Sequence, residues 1–305
     1  MAYILREGDD FAGAVARRTD SLDSRGIEVW EMGALVVQRS VGLGTSALKL
    51  LTTGNDCTAV GYTALAANTG NSNTAVGSYT LASNLGSAQN VGVGYSALYS
   101  NTNGSGNVGV GSSALELNID GDYNIAIGLF SLYRNTTGDN NIAIGKDTLS
   151  FNTTVSQLTA VGHQALSNNT SGTQLVAIGY QALSANTLGQ DNTAVGWQSC
   201  AAVTTGDGNT AFGRGTLISN GIGDYNTAIG FNALISLDDV SYNTAVGANS
   251  LQANVTGIEN VGLGYNSLYT ITSGAGNIAI GNLAGSALVS ANSNNIDIGN
   301  LGTSG

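Results

Sequence analysis

The sequence predicts an all-β fold, a parallel β-solenoid of about fifteen 17-residue coils. Three observations carry the prediction. A glycine recurs at 61, 77, 94, 111, 128, 145, 162, 179, 196, 213, 230, 247, 264, 281 and 299; the first gap is 16, the last is 18, and the twelve between are all 17. A phrase of the form Asn73-Thr74-Ala75-Val76-Gly77 ends at each of these glycines, and its alternation suits a strand of period two. The 305 residues contain no proline, as expected where every backbone N–H pairs with a neighbouring coil. Fixed-period self-similarity of this kind marks a stacked repeat architecture. Seventeen residues are too few for a strand plus a full helix and its loops, and the apolar residues show no three-and-four spacing. They suffice for one coil of two short strands and two turns, and coils stacked at ~4.8 Å make a rod roughly 70 Å long.

Each unit is numbered here from the residue four before its glycine. Position 1 is Asn in twelve of the fifteen copies: Asn73, Asn90, Asn107, Asn124, Asn141, Asn192, Asn209, Asn226, Asn243, Asn260, Asn277 and Asn295. Cys57, Leu158 and Leu175 are the exceptions. Stacked in register, these amides form a structural hydrogen-bond ladder. Position 2 is Thr, Val or Ile, position 3 is Ala or Gly except Asp297, and position 4 is Val or Ile except Phe212 and Leu263. Position 5 is the glycine, which permits a turn at positive φ or close approach of another backbone. Two variable residues then lead to a small residue and a core Leu, present in twelve copies, with Cys200 in one other. A second Asn column follows, as at Asn118 and Asn135, and a loop closes the unit.

The uniform smallness of position 3 means that something packs closely against it. One explanation is a second packed surface between neighbouring chains around an axis; the other is a thin coil whose two walls nearly touch, with the larger columns outside. The first explanation is the expected one, with neighbouring chains packed around an axis.

Residues 1–50 differ from the rest. They hold six of the nine basic residues and seven of the twenty acidic ones, a net charge of -1, whereas the remainder carries three basic and thirteen acidic residues, -10. The expected division is a segment at 1–50 for attachment or capping, and a repetitive rod at 51–305. Gly33-Ala34-Leu35-Val36-Val37-Gln38 reads as a strand; Ala47-Leu48-Lys49-Leu50-Leu51 is too short to assign. The start, Met1 to Asp10, lacks the charged-then-apolar layout of a signal peptide. A formal charge of -11 argues against nucleic acid as a partner, and no run of 18 apolar residues predicts a membrane helix.

Candidate chemistry is sparse, and the reading expects no enzyme, no cofactor and no metal. The single His163 follows the repeat phrase with no triad around it, and reads as an exposed repeat residue. Asp122, Asp139, Asp207 and Asp224 share one loop column; calcium ligation and a local Asx-turn are the two readings, and the second is the ordinary one. Cys57 and Cys200 lie eight coils apart, roughly 40 Å, too far for a bridge within one chain. Position 6 varies most. Its aromatic members Tyr62, Tyr95, Tyr180, Trp197, Phe231 and Tyr265 have two readings: they flank the turn and cover apolar surface, which is the ordinary one, or they contact a receptor glycan.

The phrases Asn73-Thr74-Ala75-Val76-Gly77, Asn124-Ile125-Ala126-Ile127-Gly128 and Asn277-Ile278-Ala279-Ile280-Gly281 resemble the head repeat of trimeric autotransporter adhesins, and similar repeats in bacteriophage fibre proteins. The resemblance covers about residues 57–299. It implies a homotrimer of left-handed parallel β-rolls that binds surfaces, its chains intertwined or side by side. The 17-residue unit is longer than the family's, and no signal peptide, coiled-coil stalk or anchor barrel is read here, so the phage branch is the expected one. The implied role is a structural, adhesive virion fibre or spike, assembled in the host cytoplasm. It would join another virion protein through residues 1–50 and display its rod to host-surface glycan. A capsid decoration protein, a polysaccharide-degrading spike and an ice-binding solenoid stay open as alternatives.

Overall fold

A computed structural model describes residues 29–30, 40–51 and 53–299. Among them every strand is short and there is no helix. The strands run from β1 (Val29–Trp30) and β2 (Val41–Leu43) through β3 (Thr58–Val60) to β16 (Ile278–Ile280) and β17 (Ile296–Ile298). From β2 onward each strand pairs in parallel with the next, in the register the period demands: Ile125 lies opposite Ile142, Ala126 opposite Ala143, Ile127 opposite Ile144. The short first gap and the long last gap are absorbed in the loops, because Thr58 still pairs with Thr74 and Ile278 with Ile296.

The stack begins one coil earlier than the glycine count from residue 61 indicates. Ser40-Val41-Gly42-Leu43-Gly44 is a degenerate copy of the phrase, and Val41 pairs with Thr58 in the common register. Residues 40–50 are therefore the first coil, and the short apolar run 47–51 is its turn segment. β1 lies antiparallel on β2, with Val29 opposite Leu43 and Trp30 opposite Gly42, and so covers one edge of the sheet. The strand expected at 33–38 lies outside the described residues.

The orientation of the strand corrects the first of the two packing explanations. Position 3 faces inward and positions 2 and 4 face outward: Ala126 is fully buried between a half-buried Ile125 and an exposed Ile127. The small column is thus the inside of a thin coil, and its partner is the Leu column of the opposite wall. A methyl group built on Gly109 would lie 3.2 Å from Leu98 Cγ, and one on Gly92 2.5 Å from Thr80 Cγ2. Nothing larger than Ala fits that gap in the coils between the ends. The Leu column (Leu65, Leu81, Leu98, Leu115, Leu132 and their successors) is fully buried, each worth about 1.5–3 kcal/mol of transfer free energy.

The second wall is not a strand, which corrects the expectation of two strands per coil. In it, left-handed residues alternate with others: Phe130 has φ +55° and Leu132 φ +48°, and the same two positions repeat along the rod. This reversal points successive N–H groups in opposite axial directions. Phe130 N–H donates back to Ser112 O at 3.1 Å, and Leu132 N–H donates forward to Thr148 O at 3.0 Å. Left-handed geometry costs an L-residue roughly 1–2 kcal/mol, offset here by hydrogen bonds to both neighbouring coils.

Inside the loop end, the position 1 ladder is realised as expected. Asn124 N–H donates to Asn107 Oδ1 at 2.8 Å, and Asn124 Nδ2 donates to Gly138 O at 2.8 Å. Of the twelve ladder residues, all but Asn295 are fully buried; Asn295, half-buried, still donates to Asn277 Oδ1 from its N–H and its Nδ2. The second Asn column bonds to the same carbonyl: Asn135 Nδ2 donates to Gly138 O at 2.9 Å and to Asn118 Oδ1 at 2.8 Å.

Two stability predictions follow from this packing. Gly128 has φ +133°, and a methyl group there would meet Gly145 O at 2.4 Å, so Gly128→Ala is expected to cost at least about 2–3 kcal/mol. Gly86 has open space around it, so Gly86→Ala is expected to be neutral or slightly stabilising; denaturant titration of the two variants checks the contrast. Asn124→Ala orphans the Asn141 N–H, which has Asn124 Oδ1 as its acceptor, and removes a donor from Gly138 O. It is expected to cost roughly 2–4 kcal/mol by the same titration, against little change for the exposed Thr137→Ala or Thr154→Ala.

Candidate interaction surfaces

Two surfaces arise from side chains that the coil turns outward. The first is the outer face of the sheet. Positions 2 and 4 of the sixteen parallel strands form two columns with no charged residue: position 4 is Val, Ile, Leu or Phe throughout, and position 2 is Thr, Val or Ile. Ile142, Ile144, Ile178, Phe212 and Ile229 on this strip are among the exposed large apolar residues. A strip about 70 Å long and about 10 Å wide covers on the order of 700 Å². That approaches the ~800 Å² per partner of a standard interface; seven of the sixteen position 2 residues are Thr, so the continuous apolar part is the position 4 column.

The second surface is the column after the turn glycine, where the receptor-contact candidates lie. Tyr62, Tyr95, Tyr180, Trp197, Phe231 and Tyr265 are all exposed at their rims, and the structure sorts them into three groups. His163, Tyr180 and Trp197 stack face to face, with centroids 5.5 and 6.1 Å apart and planes 11° apart in both pairs. Arg214 continues the stack, its guanidinium 5.0 Å from the Trp197 ring and 5.5 Å from the Phe231 ring. The faces inside this ladder are therefore covered by neighbouring rungs, and Tyr180 and Trp197 present edges rather than faces. Tyr62 and Tyr95 sit two coils apart with the Tyr79 ring between them, edge-on at 5.3 and 5.8 Å. Tyr265 has no ring partner in the adjacent coils, whose residues at this position are Ala248 and Asn282.

The remaining candidates have structural roles. His163 is half-buried in the ring stack rather than exposed, with Nδ1 buried and without a partner. The Asp column is neither a local Asx-turn nor a ligand cluster. Asp122 Oδ1 accepts the Ser105 N–H at 2.6 Å, Asp139 Oδ1 accepts the Asp122 N–H at 2.7 Å, and Asp224 Oδ1 accepts the Asp207 N–H at 2.8 Å. Ser156 and Ser241 serve the same column with their hydroxyls. No group of three or more potential metal ligands occurs among the described residues.

Cys57 replaces a ladder Asn and imitates it: its thiol donates to Gly70 O at 3.3 Å, and Asn68 Nδ2 donates to its Sγ at 3.3 Å. Leu158 and Leu175 imitate nothing, and the ladder breaks there. The second Asn column also breaks: Asn186 and Asn220 keep orphaned Oδ1 atoms where the next rungs are Val203 and Leu237. Both cysteines are free and buried. Sequence reasoning missed Tyr79 and the amides of position 7 (Gln164, Gln181 and Gln198, which bond in a ladder, and Asn232, Asn249 and Asn266); their only sequence signal is that they sit next to the aromatic column.

Cys200 occupies the Leu column, and burial pushes its thiol from 9.0 up to about 12, opposed by a hydrogen bond from Ser199. Because the folded state holds this proton more tightly, the stabilisation is complete below pH 9 and is lost as pH rises through 12. Relative to Cys200→Leu, the parent chain is expected to lose stability across that window, by roughly 4 kcal/mol at its upper end. Denaturant titrations of both proteins at pH 8 and pH 11 check it. The native thiol is also expected to resist alkylation at pH 8 until the chain unfolds.

A comparison with protein-family models finds no match, and neither does one with curated proteins.

Proposed function

We propose that the chain is a structural, adhesive fibre or spike protein of a phage particle, built as a homotrimer and without enzymatic activity. The observation that carries the reading is the uncharged sheet strip, which runs the length of the rod. In this arrangement the strips of three chains face one another around the rod axis, and hydrophobic association holds the copies in parallel. The phrase that resembles adhesin heads supplies the number three. Residues 1–50 join the rod to another virion protein; within them, β1 and the first coil close the rod's end, which leaves residues 1–28 for attachment. The variable aromatic column meets host-surface glycan, and three chains in parallel raise the avidity of weak contacts.

The expected native mass is about 92 kDa by light scattering, three times 30.7 kDa; about 31 kDa would contradict the reading. The double variant Ile127→Lys, Ile144→Lys places like charges on the strip. It is expected to shift the mass to that of one chain while leaving the far-ultraviolet circular dichroism unchanged. Removing residues 1–28 is expected to preserve the trimer and abolish incorporation into particles, read by immunoblot of purified virions. Retained incorporation would overturn the attachment role.

A further inference from the structure

The aromatic column contains an interruption with the dimensions of a sugar ring. Arg214, from the coil before, lies over the Phe231 ring, and in the coil after Phe231 position 6 is Ala248. The coil after that carries Tyr265. Phe231 and Tyr265 are both about half exposed, at 44% and 54%. At ~4.8 Å per coil, two rungs separated by one empty rung stand about 9.6 Å apart. A chair-shaped ring held between two aromatic planes at carbon contacts of 3.5–4.0 Å needs about 8–9 Å, whereas a flat base needs only about 7 Å. The rod provides its own precedent. Between Tyr62 and Tyr95 the same two-coil gap, over Ser78, is filled by the ring of Tyr79. Over Ala248 the neighbouring side chain is Asn249, and among the described residues no ring pairs with Phe231 or Tyr265.

The adjoining column supplies polar groups. Asn232, Asn249 and Asn266 occupy three successive coils, all half-buried, and Asn249 Nδ2 donates to Asn266 Oδ1 at 3.1 Å. That bond leaves Asn249 Oδ1, an acceptor, and Asn266 Nδ2, a donor, outside it. Aromatic faces present partial negative charge to the polarised C–H groups of a sugar, and planar amides pair with its vicinal hydroxyls. The three coils hold no charged side chain in either column, and Arg214, one coil before, is already stacked on Phe231, which favours a neutral sugar.

We propose that Phe231, Ala248 and Tyr265, with Asn232, Asn249 and Asn266, form a binding slot for one hexopyranose unit of a neutral polysaccharide. The proposal rests on the reading that the rod's aromatic column meets glycan, and it narrows that contact to one slot per chain.

The test is saturation-transfer NMR and calorimetry on the full chain, with cellohexaose, mannohexaose and a β-1,4-galactan oligomer as probes. At least one is expected to bind, with transfer concentrated on the axial ring protons. Ala248→Trp fills the slot with a residue the column already accepts at Trp197, and is expected to weaken binding at least tenfold. Phe231→Ala and Asn249→Ala are expected to weaken it similarly, and Tyr123→Ala, at an exposed tyrosine of the loop column, to leave it unchanged. Absence of binding by all three probes overturns the slot, as does binding that Ala248→Trp leaves intact. Light scattering on the same samples separates the two readings: a trimer that binds no sugar sinks the slot alone, and a single chain that binds sugar through Ala248 sinks the fibre alone.

Discussion

The structure depends on one constraint: every coil must satisfy its backbone through the coils above and below it. Strand, turn and ladder are three answers to that requirement. The strand does it with parallel pairing, the second wall by alternating left-handed residues so that N–H groups point both ways, and the loop end by Asn side chains that accept from the next coil's N–H and Asp side chains that accept from the preceding coil's. Each answer needs the same residue type in the same place in every coil, and so the period is held so strictly. The constraint also explains why departures are local. Leu158 and Leu175 remove two rungs of the Asn ladder, yet the strands on either side keep their register, because strand and second wall still pair.

The thinness of the coil decides which faces are free. With Ala facing Leu across a single layer, the interior is filled by small and medium side chains alone. The β-branched residues of the strand have no room inside, and they form an apolar strip outside. A sheet with one face against its own coil and the other face apolar has the composition of a buried parallel sheet, covered on both sides. The strip is thus the place where the stability of one chain and its association with others meet.

The period, the register, the Leu core, the position 1 ladder and the impossibility of a disulfide were all legible in the sequence, since each is a matter of spacing. Two features were not. The direction of the strand was misread because β-branched residues usually mark a core, and only the distance between the walls, as at Gly92 against Thr80, shows that the Ala column is the inside. The left-handed second wall carries no local signal: Leu132, Phe130 and Gln164 are not residues that favour positive φ, and stacking imposes it on them. The candidate site was legible as a column but not as an arrangement. Tyr180 and Trp197 look alike in sequence to Phe231 and Tyr265, yet the first two cover each other's faces. The interruption at Ala248 has meaning only once the coil rise is known.

The central claim is that the outward strip is an interface between copies, and distances between copies test it most directly. Both native cysteines are buried, so a spin label attached at Ile144→Cys reports on the strip alone. Pulsed dipolar spectroscopy is predicted to give a single short distance, on the order of 10–20 Å, since packed sheets lie about 10 Å apart. A sample with no dipolar coupling would contradict the account, because the strip would then face solvent.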